Sequence, residues 1–230
     1  LLAATIVAWN FAESIVKFIL SPVLKFLPPD QGLVYTGLTD AFSVTFRLSL
    51  WAGAVVSAPY FFYQIWAFVA PGLHPEEKAK VPFLTILATA LLLLGACFAY
   101  FAAFPMTFKF FLAFSSEEMR PLLAVDRYMS LCMGLIVAFA VAFQLPLVLM
   151  FLARLGLVTP EFLKKSRSYA VVLIFIVAAI LTPPDVVSQI LLAAALIFLY
   201  ELSIFLIKRQ NIALARAQIL AEKEADSDLD

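Results

Sequence analysis

Two neighbouring carboxylates, Glu76 and Glu77, follow closely after an apolar and aromatic segment of the chain. The segment covers residues 57–69, contains Pro59, and stops at a proline–glycine pair that begins at Pro71. Because proline and glycine both interrupt helices, this pair predicts an abrupt helix end. Carboxylates placed just beyond such an end are held at a fixed height outside a membrane. The pattern therefore predicts a site for a basic ligand at the bilayer surface.

Polar residues elsewhere stand in strongly apolar surroundings. Gln144 lies inside a long apolar run, where its amide requires a hydrogen-bond partner. Two interpretations are open for it: a structural bond to another helix of this chain, or a polar contact with a partner helix. Asp185 follows Pro183 and Pro184 in a tight turn, where its carboxylate is suited to cap the next helix.

The sequence carries no pattern for catalysis, metal binding or nucleotide binding. The two cysteines, Cys97 and Cys132, lie in separate apolar runs and far from the single histidine, His74. It contains no Ser/His/Asp set, no paired intramembrane carboxylates and no Gly-rich phosphate loop. We therefore expect no enzyme activity, no metal and no cofactor.

Composition identifies the class of protein. Apolar residues make up 64% and charged residues 14% of the chain, with a mean hydropathy of +1.00, whereas soluble domains are about half apolar and a quarter charged. Several uninterrupted apolar runs exceed the ~18 residues of a spanning helix. The 16 basic and 16 acidic residues cancel, so charge gives no reason to expect nucleic acid binding.

We predict an all-α polytopic bundle with six transmembrane helices in one membrane domain, residues 1–209. The first span is expected to be partial, since the apolar stretch before Asn10 cannot cross ~30 Å of hydrocarbon. The last two spans are expected to be short. The predicted spans are residues 1–16, 48–69, 83–104, 129–152, 169–181 and 186–207.

The segments between the spans have distinct expected roles. Residues 17–42, interrupted by Pro22, and residues 105–127 are predicted to form a cap at one end of the bundle. Residues 210–230 are a polar tail, expected to lack fixed structure. The connections at 70–82 and 154–168, with the residues from 208 onward, hold ten basic residues against six on the other side. This asymmetry predicts that both termini are cytoplasmic.

Four stretches together resemble the TatC family, the polytopic core of the bacterial twin-arginine protein translocase. They are residues 57–77, 97–105 (CFAYFAAFP), 143–146 (FQLP) and 181–189 (LTPPDVVSQ). The resemblance runs from about residue 10 to residue 209. The family usually opens with a segment of the type His-Leu-x-Glu-Leu-Arg, whose glutamate helps bind the signal peptide, and no residue from Leu1 onward is assigned to it. Many members have glutamate where this chain has Gln144.

The resemblance implies a cupped, glove-like bundle in the bacterial inner membrane that binds twin-arginine signal peptides at its cytoplasmic face. Glu77, with Glu76 beside it, would pair with the arginines, and Phe68 would support the peptide. Gln144, Thr182 and Gln189 would dock a partner helix. The expected partners are TatA- and TatB-type single-span proteins, signal peptides of folded cargo, membrane lipid and further copies of this chain, with the proton-motive force as energy source.

The alternative function is that of a small-solute secondary transporter. Such a protein would show inverted repeats and charged or broken helices that converge at mid-membrane. The sequence shows no such repeat and has almost no charge within its predicted spans. A third class, an intramembrane enzyme, would need catalytic residues that the sequence lacks.

Overall fold

The computed structural model describes residues 1–24, 34–69, 81–113, 124–182 and 185–227, and this part of the chain is a bundle of helices. The predicted all-α membrane bundle is confirmed. The helices, in chain order, are α1 (Leu2–Asn10), α2 (Ala12–Leu24), α3 (Asp40–Val69), α4 (Val81–Phe98), a π-helical turn (Ala99–Ala103), α5 (Phe104–Leu112), α6 (Val125–Ala142), α7 (Leu145–Arg154), α8 (Pro160–Lys165), α9 (Arg167–Leu181) and α10 (Val186–Ser227).

Four helical stretches of 27 to 32 residues are long and apolar enough to cross a bilayer. They are α3, α4 with α5, α6 with α7, and the first 27 residues of α10. Even the shortest rises by about 40 Å, more than the ~30 Å hydrocarbon core requires. Helices α1 and α2 pass the same test only as a pair, and α9 is a shorter apolar helix of 15 residues.

The last helix differs from the prediction of a short span. The charge-free part of the predicted span stops at Tyr200, directly before Glu201, yet α10 passes through this position without a break. The Glu201 carboxylate pairs with Arg167 at the start of α9, with 2.6 Å between Oε2 and Nη2. Because the charge is compensated there, the apolar residues after Glu201 extend the same span. Only α9 is short.

The polar tail also differs from its prediction. Residues 210–227 continue α10 as helix, although this region was expected to lack fixed structure. Alanine, leucine, glutamine, glutamate, lysine and arginine dominate this stretch, and these residues have the highest helix propensities. The helix therefore continues beyond the apolar span.

A bend interrupts the predicted first span, residues 1–16. Helix α1 stops at Asn10, and the chain bends by 73° before α2. The Asn10 side chain donates to the carbonyl of Ile6 at 3.0 Å, which satisfies one carbonyl of the last turn of α1. Helix α2, which carries Glu13 and Lys17, therefore takes a different direction from α1.

Close helix crossings depend on two glycines. A side-chain Cβ at Gly53 of α3 would lie 2.5 Å from Oγ1 of Thr5 in α1. A Cβ at Gly95 of α4 would lie 2.5 Å from the carbonyl oxygen of Phe139 in α6. Small residues let helices approach closely in a bilayer, where dispersion contacts replace the hydrophobic driving force. Gly53 and Gly95 thus set the α1–α3 and α4–α6 separations.

Helix α2 is anchored by two tyrosines from other helices. Pro22 lies inside α2 and has no N–H, so the carbonyl of Phe18 loses its helical donor. The Tyr100 hydroxyl donates to this carbonyl at 2.8 Å, and the Tyr128 hydroxyl donates to the carbonyl of Ile19 at 2.9 Å. These bonds tie α2 to the π-helical turn and to α6.

The π-helical turn precedes a second proline, Pro105. Proline removes one helical donor and its ring crowds the preceding turn of the helix. Widening that turn to π geometry is a common adjustment in such places, and here it is the turn that carries Tyr100. The chain then continues as α5 in the same span. Pro59 likewise lies inside α3, which continues past it.

Two segments expected in the cap meet at one end of the bundle. The Val125 amide donates to the carbonyl of Val34 at 3.1 Å. At the second residue of α6, Asp126 pairs with Arg47 of α3 at 3.0 Å. The segment before α3 and the start of α6 are therefore held together by backbone and by charge.

We predict that Gly95→Ala lowers the thermal unfolding midpoint of the detergent-solubilised chain. The added methyl group would overlap the Phe139 carbonyl, and overpacking of this kind costs about 1–3 kcal/mol. Gly134→Ala is the matched control, because a Cβ at Gly134 meets nothing within 4 Å. Equal melting of Gly95→Ala and wild type would contradict the close crossing.

We predict that Tyr100→Phe destabilises the chain by about 1–2 kcal/mol, because the Phe18 carbonyl loses its donor. In a Pro22→Ala background the backbone N–H of residue 22 can serve that carbonyl again, so the loss should shrink. Thermal unfolding of the two single variants and the double variant measures this coupling. Tyr169→Phe, at an exposed ring, is the control. Strictly additive losses would show that the two positions are not linked.

Candidate functional site

The predicted signal-peptide residues fall at the junction between α3 and α4. Glu76, Glu77 and Pro71 lie outside the described residues, so the structure places only the helix ends on either side. These ends are fixed by packing. Trp66 of α3 is buried and contacts Phe151 of α7 edge-to-face, with 5.3 Å between the ring centroids.

A small apolar cluster surrounds this contact. It joins the end of α3, the start of α4 and the middle of α7; its buried members are Trp66, Val81, Leu84, Ala88 and Leu147. The cluster holds the two helix ends that flank residues 70–80 in a defined arrangement. Any side chain in that connection is therefore attached to a rigid base.

Phe68 lies on the outer side of this junction. Its side chain is 86% exposed, although Trp66, two residues earlier, is buried. Other exposed aromatics precede it on the same half of α3, namely Tyr60, Phe61 and Tyr63. Aromatic side chains of this kind are typical of the membrane–water interface. Phe68 is thus available for contact with a ligand at the bilayer surface.

Gln144 lies where α6 ends and α7 begins. Its Nε2 donates to the carbonyl of Ala88 in α4 at 3.1 Å, which is the structural bond to another helix that one interpretation required. Its Oε1 is buried and accepts no hydrogen bond from the part of the chain that the structure describes. Pro146, in the first turn of α7, explains the break in this span. Gln144 therefore retains one unused acceptor inside the bundle.

The predicted turn between the last two helices is capped by Asp185. Its carboxylate accepts from the Ser188 amide at 2.7 Å and from the Ser188 hydroxyl, which confirms the capping interpretation. Pro183 and Pro184 lie outside the described residues. The Thr182 side chain is only 6% exposed, and its hydroxyl donates to the carbonyl of Ala178 at 2.8 Å. Thr182 is thus committed to its own helix.

Gln189 is the more accessible of the two expected docking residues at this turn. Its Nε2 makes a long contact of 3.4 Å to the carbonyl of Phe175 in α9. A bond of that length is weak, so the amide can exchange it for another partner. Helix α9 beside it rises by only about 22 Å, which is less than the bilayer core. The membrane must adapt to this helix.

A concave surface runs between α3 and α6. Two cavities of about 360 and 260 Å³ share the lining residues Leu48, Trp51, Met133 and Val137. The Arg47–Asp126 ion pair stands at the end of this groove, which is otherwise mostly apolar. The groove gives the bundle the expected cupped form.

Four interactions that organise these regions were not expected from the sequence. Tyr100 and Tyr128 bond to α2, Arg47 pairs with Asp126, and Arg167 pairs with Glu201. The available signal was the presence of a hydroxyl or a charge inside or beside an apolar run. That signal says a partner is needed but does not identify it, since the partners lie 34 to 109 residues away.

Comparisons with known proteins point to one family. Residues 1–194 match the family model of the Sec-independent protein translocase protein TatC. The TatC protein of Desulforapulum autotrophicum is 41% identical over 199 residues, which cover 86% of this chain and 74% of that protein. The TatC of Escherichia coli K12 is 35% identical over 195 residues, covering 85% and 76%.

A solved crystal structure agrees with the sequence matches. The twin-arginine translocase receptor TatC superimposes with a TM-score of 0.78 at 37% identity, over 90% of this chain and 91% of that one. The chain belongs to the TatC family. It is therefore a multi-pass membrane subunit of the twin-arginine translocase, a protein-transport system. Membership in the TatC family does not favour the small-solute transporter alternative.

Proposed function

We propose that this chain is the signal-peptide receptor of its translocase, with the binding site at the α3–α4 connection. The observation that carries the proposal is the match, at 37% identity over most of both chains, to a structure described as the twin-arginine translocase receptor. The rigid base around Trp66 supports it. Glu77, with Glu76 as neighbour, receives the arginines, and Phe68 contacts the apolar part of the peptide.

The chemistry of arginine fits this assignment. A guanidinium presents a planar fork that pairs bidentately with a carboxylate, whereas an ammonium group does not. Two adjacent glutamates beside a membrane surface offer two such acceptors. The same end of the bundle carries the basic residues of α8 and α10, and this is the end that we assign to the cytoplasm.

We further propose that the turn between α9 and α10, with Gln144, docks the single membrane span of TatA- or TatB-type partners. Gln189 has an amide in a weak bond, and Gln144 has an unused acceptor. A partner helix with a polar residue gains by satisfying such groups in hydrocarbon. Thr182 is buried, so it supports the docking surface indirectly, by packing against the residues around it. Residues 17–42 and 105–127 form the cap on the opposite, periplasmic face.

This role requires no reaction at the protein itself. We infer that the chain, as one copy in an oligomer within the bacterial inner membrane, exports folded cargo with energy from the proton-motive force. The short α9 gives a place where the bilayer is thinned beside the docking turn.

We predict that Glu77→Gln weakens binding of a twin-arginine peptide by roughly ten- to a hundred-fold, because charge-assisted hydrogen bonds are lost. Titration of a fluorescent peptide against the solubilised chain measures the affinity. A twin-lysine peptide should bind wild type more weakly than the twin-arginine peptide. Glu161→Gln, which removes an exposed carboxylate at the start of α8, is the matched control. Equal affinities of Glu77→Gln and wild type would remove Glu77 from the site.

We predict that a cysteine at Gln189 forms disulfides with cysteines in the span of a TatA- or TatB-type partner, in a background with Cys97 and Cys132 replaced by alanine. A cysteine at Thr182 should react less, since that side chain is buried. Ile86→Cys on the exposed face of α4 is the control. Crosslinking at position 86 with none at position 189 would place the docking surface elsewhere. The assay compares crosslinked product in membranes after mild oxidation.

A further inference from the structure

The basic residues at the end of α8 and near the end of the apolar span of α10 take no part in the binding and docking sites proposed above. We define the basic platform as Lys164, Lys165, Lys208 and Arg209, all of which are exposed. They come from two helices that are far apart in sequence. The packing of α8 against α10 sets the distance between the two pairs of cations.

Helix α8 is clamped against α10. Its start is capped by the Thr159 hydroxyl, which accepts from the Phe162 amide at 3.2 Å. Its Leu163 side chain is buried, and the Leu163 carbonyl accepts from the Tyr200 hydroxyl of α10 at 2.8 Å. Lys164 and Lys165 follow directly, so their positions relative to α10 are fixed.

Other contacts attach neighbouring cations to α10, at Glu201 and at Gln210. Arg167 pairs with Glu201, which neutralises one charge of each sign. The Gln210 side-chain oxygen, once the amide is oriented by its contacts, accepts from Arg154 Nε at 2.8 Å and Nη2 at 3.2 Å. Since that partner is neutral, the charge of Arg154 remains. Arg209 lies over the Phe205 ring at 5.5 Å from its centroid and also keeps its charge.

The platform is therefore strongly cationic. Among the described residues, the ion pairs are Arg47–Asp126 and Arg167–Glu201, and neither includes a platform residue. Glu161, in the first turn of α8, is the nearest acid along that helix. Its negative charge interacts favourably with the positive end of the helix dipole. Four cations thus face outward without a described carboxylate to compensate them.

Exposed apolar side chains accompany these charges. Phe162 of α8 is 57% exposed and Leu157, in the preceding turn, is 69% exposed. Tyr169, near the start of α9, is also exposed. Cations interleaved with exposed apolar groups at the end of membrane spans are the pattern of an interfacial surface that contacts anionic headgroups and the upper acyl chains together.

We propose that the basic platform binds the phosphate headgroup of an anionic phospholipid, whose upper acyl chains contact Phe162 and Leu157. Phosphate oxygens accept from lysine and arginine in a charge-assisted geometry. The lipid would contact both α8 and α10 and so hold the short helix α8 against the last span. This inference is independent of signal-peptide binding.

The test titrates fluorescent phosphatidylglycerol onto the full chain in dodecyl maltoside, with phosphatidylcholine as reference. Lys164→Gln/Lys165→Gln should weaken phosphatidylglycerol binding by roughly 25-fold, since each basic residue near an anionic surface contributes about five-fold. Phosphatidylcholine binding should not change. Lys17→Gln/Arg127→Gln, which removes two exposed cations from other helices, is the matched control and should bind as wild type.

Four results would overturn the proposal. The first is that the double variant retains the wild-type preference for phosphatidylglycerol. The second is that the control variant loses this preference equally, which would show a general charge effect. Soluble glycerol phosphate binding as tightly as the lipid would indicate a free-phosphate site. A glutamate-rich peptide that binds more tightly than phosphatidylglycerol would indicate a protein-docking surface. Thermal unfolding of each variant keeps loss of fold separate from loss of binding.

Discussion

The structure depends on satisfying backbone carbonyls inside an apolar environment. A bilayer offers no water to a carbonyl that loses its helical donor, so each interruption of a helix needs a substitute. Pro22 creates such a carbonyl at Phe18, and the Tyr100 hydroxyl supplies the missing bond at 2.8 Å. Tyr100 reaches it from the π-helical turn, which lies next to Pro105. One side chain, Tyr100, thus connects the helix disruptions at two prolines, since it stands on the turn beside Pro105 and bonds to the carbonyl that Pro22 leaves free.

Two charged groups near helix ends are likewise paired with partners from other helices. Glu201 lies within the last span, where its charge is paired with Arg167, and α10 continues past it as one helix. Arg47 and Asp126 likewise join α3 to α6 where the groove opens. Both pairs are partly exposed, so their contribution to stability is small, about 0–1 kcal/mol each. Their importance is that they fix which helices are neighbours.

The packed end of α3 and the basic platform stand on elements that α7 connects. Trp66, near the acidic α3–α4 connection, contacts Phe151 of α7, and Arg154 ends that same helix one turn later. The chain then enters α8, which carries the first half of the basic platform. The end of α3 and the platform are therefore linked through α7.

The sequence by itself determined the class, the helical content, the long spans and the family, because apolar runs and proline-containing motifs are local features that need no partner to be read. It also predicted the Asp185 cap, whose partner Ser188 is three residues away. It did not predict the length of α10, the bond of Gln144 to Ala88, or the tyrosine bonds to α2. Each of these depends on a group from another helix, and only the tertiary structure decides which group that is, because burial in hydrocarbon demands a partner without naming one.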